Sequence, residues 1–94
     1  MALDDEVWQE IIVPVVANQL GIEPVKVERG KSLVNDYNAD SLDIAETVMN
    51  TEEAVEKRYH LAKFTIPDSI EPEPRNLGEF CSYISKRIAD EQSK

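Results

Sequence analysis

The chain has 94 residues, a formal net charge of -9 at neutral pH and 41% apolar residues. That length supports one domain, 1–94, with a modest core, and is too short for two. The acidic balance argues against nucleic acid and the anionic face of a membrane, whose phosphates demand Lys and Arg, and favours partners with basic patches.

From Asp4 the pattern Val7, Ile11, Ile12, Val15, Val16, Gln19 and Leu20 recurs at three-and-four spacing, and Gly21 stands just past it as a stop. This predicts a first helix. Pro14 lies inside it without an amide hydrogen and crowds the carbonyl of Glu10, so a kink or a break is expected there. Trp8, near the start, is expected to cover the core rather than to touch a ligand. The stretch 22–36 contains Pro24, Gly30 and an irregular scatter of apolar residues, which predicts a connecting loop.

Helical periodicity resumes at Asp40, with Ile44, Thr47, Val48, Thr51 and Val55 on one side and Asp43, Glu46, Glu53 and Glu56 largely on the other. Nothing before Thr65 breaks the second helix, so 56–63 is a candidate extension of it. Pro67, Pro72 and Pro74 then allow at most a short helical turn. Asn76 is a cap for a last helix, with Leu77, Phe80, Cys81, Ile84 and Ile88 inward and Lys86 and Arg87 near its C-terminal end, where cations suit the dipole. The fold class is all-α: a helical bundle of three main helices plus a short, proline-rich helix or turn.

No run reaches the ~20 apolar residues of a membrane span, and 1–5 opens acidic where a secretory signal is basic, so a cytoplasmic protein without membrane insertion is expected. A monomer is the default. The single cysteine, Cys81, excludes an internal disulfide framework and is read as a small core residue. His60, the only histidine, has no ligand pattern around it and is expected on the surface. No metal site and no catalytic residue are expected.

The candidate site is the start of the second helix. Asp40 is a suitable N-cap, which places Ser41 at the first helical position, exposed and at the positive end of the helix dipole. An anionic group on that hydroxyl would meet free amides. Asn38 precedes the cap at a point where a left-handed residue is expected. An Asp-Ser pair before a helix is common, however, and alone it does not separate a modified serine from an ordinary one.

A wider pattern does. The runs Gln19-Leu20-Gly21-Ile22, Leu33-Val34-Asn35-Asp36-Tyr37-Asn38-Ala39-Asp40-Ser41-Leu42-Asp43 and Val48-Met49 with Glu52-Glu53 resemble, in order and spacing, those of bacterial acyl carrier proteins. Ile66-Pro67-Asp68 resembles the start of that family's short third helix, and Leu77, Tyr83 and Ile84 resemble its last one. The resemblance runs from Val15 to Ile84. It implies a carrier of acyl thioesters that is not itself an enzyme. Ser41 would bear a phosphopantetheine arm, transferred from coenzyme A by a phosphopantetheinyl transferase, and Asp40 would help to hold that enzyme's magnesium ion. Partner recognition, by acyl-transferring or chain-modifying enzymes of fatty acid or related biosynthesis, would fall to Leu42, Asp43, Glu46, Met49, Glu52 and Glu53. The stretch 40–56 holds six acids and no Lys or Arg, a pattern that steers encounter with basic surfaces.

Ile44, Thr47, Val48, Thr51 and Val55 would line the acyl pocket. The family usually has apolar residues where Thr47 and Thr51 stand, so either the cargo is shorter or more polar than a long saturated chain, or the hydroxyls bond back to the helix. Several residues are also added around 56–65, which suggests a specialised carrier. A polyketide or aminoacyl carrier, or an unmodified acidic helical interaction module, remain the alternatives.

Overall fold

The computed structural model describes residues 2–94, and every regular element among them is helical. The N-terminal rod is made of α1 (Leu3–Val7), a π-helical turn (Trp8–Ile12) and α2 (Val13–Leu20). Pro14 causes neither a break nor a bend out of helical dihedrals. The turn ahead of it widens instead, with the Val13 amide reaching back five residues to the Trp8 carbonyl, so that the hydrogen bond Pro14 cannot donate is absorbed in a π turn. Gly21, at φ 66°, ends the rod, and the Ile22 amide closes it on the Ala17 carbonyl.

The segment after the rod, expected to be a loop, contains a 3-10 turn over Pro24–Lys26 and a short helix, α3 (Leu33–Tyr37). Ser32 caps α3 by accepting from the Asn35 amide, while its own amide donates to the Asp36 carboxylate. Asn38 then takes the expected left-handed conformation at φ 56°. This turns the chain directly into α4 (Ser41–Tyr59).

His60, exposed and left-handed at φ 55°, ends α4, so the helix extends through Tyr59 but not to 63. His tolerates this conformation better than most residues. The proline-bearing stretch 61–76 forms bends and irregular chain with no helical segment, so among the described residues the short helix that flanks the site is α3, on the other side of Ser41. The last helix, α5 (Leu77–Gln92), is capped by Asn76, which accepts from the Glu79 amide. Its next amides are taken by the preceding loop, Leu77 donating to the Lys31 carbonyl and Gly78 to that of Arg29. A Cβ on Gly78 would stand 3.1 Å from the Arg29 oxygen, which is why the smallest residue sits there.

The rod packs against both α4 and α5, and the core draws on all three: Val7, Ile11, Ile12 and Val16 from the rod, Val55 from α4, and Leu77, Cys81, Ile84 and Ile88 from α5. Each of the aliphatic side chains among them contributes roughly 1.5–3 kcal/mol by leaving water. Trp8 is partly buried against this core, as expected, with the Arg29 guanidinium 4.9 Å from its ring. Arg29 also pairs with Asp4 at 2.8 Å and Asp5 at 3.0 Å, tying the long loop to the rod. Arg87 is not at the helix end, since α5 runs on to Gln92. It instead lies over the Phe64 ring at 4.9 Å and donates to the Thr65 carbonyl at 2.8 Å.

Candidate functional site

The start of α4 is built by a reciprocal cap. The Asp40 carboxylate accepts from the Asp43 amide at 2.9 Å, and the Asp43 carboxylate accepts from the Asp40 amide at 3.2 Å. Two of the amides that a helix start leaves without carbonyl partners are thereby satisfied. Ser41 follows as the first helical residue, and its side chain is exposed. Its own amide and that of Leu42 belong to the first turn, where a helix has no carbonyl partner to offer, at the positive end of a 19-residue helix.

Below Ser41, on the same helical face, Ile44 and Val48 line an open groove of about 670 Å³. The stretch 66–70, with Ile66 and Ile70, and Leu77 and Phe80 of α5 also line it. α3 forms the near rim through Leu33 and Val34. Of the five residues expected in a pocket, Ile44, Thr47 and Val48 reach this groove, but Thr51 and Val55 do not. Both are fully buried, and Val55 shares the core with Phe64 and Ile66. The threonine hydroxyls donate back to the helix, Thr47 to the Asp43 carbonyl at 2.8 Å and Thr51 to the Thr47 carbonyl at 2.7 Å. They are satisfied internally and offer a ligand nothing. A second cleft, of about 790 Å³ beside Pro72, Gly78 and Lys86, contains none of the residues expected at the site.

The acids of α4 divide by what they touch. Asp43 and Glu46 both accept from the Gln19 side-chain amide, at 3.4 and 2.9 Å, which fastens the first turns of α4 to the rod. Glu53 is exposed. Glu52 is not a free surface acid: it accepts from the Ile66 amide at 2.7 Å, and Glu56 likewise accepts from the Phe64 amide at 2.7 Å. Leu42 and Met49, seven residues apart and so on one face of α4, are 66% and 55% exposed.

Four contributors carry no signal of the site in the sequence: Gln19 looks like one more member of the helix-one repeat, the residues of α3 look like irregular loop, Ile70 carries no motif, and Phe80 looks like one more inward residue of the last helix. Ser32 with Asp36 four residues on was the available cue for α3. His60 is on the surface, as expected. Cys81 is completely buried, with its thiol 3.4 Å from the Asp4 carbonyl, and burial together with the Asp4 charge pushes it up to about 12, far from a reactive thiolate. Among the described residues no cluster of His, Cys, Asp or Glu could hold a metal ion, and no helix is long and apolar enough to cross a membrane.

Comparison with known proteins shows the family of the chain. The chain is 32% identical over 87 residues to an acyl carrier protein of Chlamydia muridarum, spanning 93% of this chain and 97% of the relative. It is 33% identical over 87 residues to the acyl carrier protein of Syntrophobacter fumaroxidans, spanning 93% and 99%. With that of Bdellovibrio bacteriovorus it shares 36% over 73 residues, or 78% and 85% of the two chains. No protein-family model matches the chain, and no solved structure matches it significantly. Matches that run nearly the full length of both partners, on an all-helical fold, are decisive: the chain belongs to the acyl carrier protein family, whose members are carriers rather than enzymes.

Proposed function

We propose that Ser41 is the residue of this carrier to which phosphopantetheine is esterified, and that acyl intermediates ride as thioesters on that arm between partner enzymes. The observation that carries this reading is the exposed Ser41 hydroxyl on the first residue of a capped helix, with the groove opening one turn further along. The group fits the residues present. A phosphodiester on Ser41 Oγ would face the Ser41 and Leu42 amides, and the apolar side chains of Ile44 and Val48 lie where the chain beyond it can be laid down. The prosthetic group supplies the thiol, and the protein supplies an exposed nucleophile, a fixed helix end and a surface for docking.

Loading forms a bond from Ser41 Oγ to the phosphorus of coenzyme A's pantetheine phosphate, while the nucleotide leaves and the hydroxyl proton passes to the transferase. Asp40 presents its second carboxylate oxygen outward, since its first accepts from Asp43. It is the residue of this chain suited to a hard cation in that enzyme's site. Leu42 and Met49 form the apolar part of the docking face, and Asp43, Glu46 and Glu53 its charged part, directed at basic patches on acyl-transferring and chain-modifying enzymes.

Coexpression with a broad-specificity phosphopantetheinyl transferase, read by intact mass, tests the assignment. The expected result is the gain of one phosphopantetheine in the parent chain and none in Ser41→Ala. A parent chain of unchanged mass, or a Ser41→Ala chain that still gains it, overturns the reading.

A further inference from the structure

Resting on that reading of Ser41, we propose that the strap Phe64-Thr65-Ile66 is a fixed wall that limits this carrier to short acyl chains, held on the open groove and excluded from the space between α4 and α5. The strap lies in an extended conformation between the two helices, and its three residues are fastened from both sides. The amides of Phe64 and Ile66 each donate to a glutamate of α4, Glu56 and Glu52, at 2.7 Å. The carbonyl between them, that of Thr65, accepts from Arg87 of α5 at 2.8 Å. Hydrogen bonds to ionised partners at these lengths are the strong kind.

Alternation along extended chain does the rest. With Thr65 outward, Phe64 and Ile66 point inward, 2% and 4% exposed, and the guanidinium of Arg87 covers the outer face of the Phe64 ring. Thr51 and Val55 of α4 are completely buried. An acyl chain entering past Val48 therefore meets filled volume. To pass, it would have to displace an aromatic ring and break three charge-assisted hydrogen bonds together. The groove itself is open and its lining is mixed, with Ile44, Val48, Ile70, Leu77 and Phe80 beside Ser32, Asn35, Asp68 and Ser69, so added methylenes on it stay in reach of polar groups and water.

The test loads the whole chain enzymatically from butyryl-, octanoyl- and palmitoyl-coenzyme A, confirms each product by intact mass and compares thermal melting by circular dichroism. A ligand bound only by the folded state raises the melting temperature. The expected result is one melting temperature for all three loaded forms of the parent chain. In Phe64→Ala, which removes the wall, the octanoyl form is expected to melt several degrees above the butyryl form. If Phe64→Ala does not fold, the double variant Glu52→Ala with Glu56→Ala releases the strap without hollowing the core, and the same length dependence is expected of it. A parent chain whose melting temperature climbs from butyryl to palmitoyl overturns the proposal. So does a folded strap variant whose three forms melt together. Failure of all three loads to add mass overturns the attachment reading itself, and the limit on cargo falls with it.

Discussion

The two ends of α4 use the same kind of residue for opposite purposes. At its start, Asp40 and Asp43 close the helix end and leave Ser41 and Leu42 open to partners. At its far end, Glu52 and Glu56 turn their carboxylates onto backbone amides and bind a strap over the core. One end is shaped for access and the other for closure. In sequence the six acids look like a single uniform face, yet only some of them remain available to a partner. An acidic stripe therefore measures the field a protein projects, and not the number of side chains free to dock.

The comparison breaks most visibly at the strap. Glu52→Ala leaves the Ile66 amide buried without an acceptor, a loss of about 1–3 kcal/mol, and Glu56→Ala acts alike on Phe64. Urea unfolding of each single variant and the pair is expected to show non-additive losses, because both carboxylates hold one segment. If Glu52→Ala matches the parent in stability while weakening partner binding, the two ends are alike after all. A smaller effect is expected at the open end. Asp40→Ala removes the cap and destabilises by about 1 kcal/mol, with slower phosphopantetheine loading than the stability loss explains. Unfolding and loading rates measured on the same variant separate the two contributions.

The smallest effect concerns the frame that both ends share. Partial burial pushes the Asp4 carboxyl up, but hydrogen bonds from Arg29 and Ser82 and the Arg29 charge outweigh it and hold the group below its ordinary value. A carboxyl lowered on folding contributes stability above its unfolded value, and that contribution is lost as pH falls through the folded one. Asp4→Asn is thus expected to lower the urea midpoint slightly at neutral pH. The gap to the parent should close below about pH 4. Because Arg29 and Asp4 are both partly exposed, added salt should narrow the gap as well.

What the sequence made legible was whatever is governed by near neighbours. The caps at Asp40 and Asn76, the stop at Gly21 and the left-handed Asn38 rest on contacts within a few residues, and each is where local chemistry puts it. The start of the candidate site belongs to this class. The end of α4 was less legible, because helix propensity alone does not distinguish a stop at His60 from continuation to 63. The strap was not legible at all: Ile66 is bonded to Glu52, fourteen residues away, and Thr65 to Arg87, twenty-two away. For the same reason periodicity puts Thr51 and Val55 on the face of α4 that carries Ile44 and Val48, but cannot show that they are fully buried and outside the lining of the groove. Pro14 teaches a related point, since a residue that forbids one hydrogen bond does not dictate whether the chain bends or widens.

Gln19 joins the rod to α4 with an uncharged donor. Asp43 and Glu46 lie three residues apart on one helix face, where like charges repel, and a lysine reaching both would hold them as well. It would also cancel one unit of the negative potential that α4 presents. The carboxamide fixes the spacing of the two carboxylates through hydrogen bonds alone, so the face is made rigid while its full charge stays visible at a distance to whatever approaches Ser41.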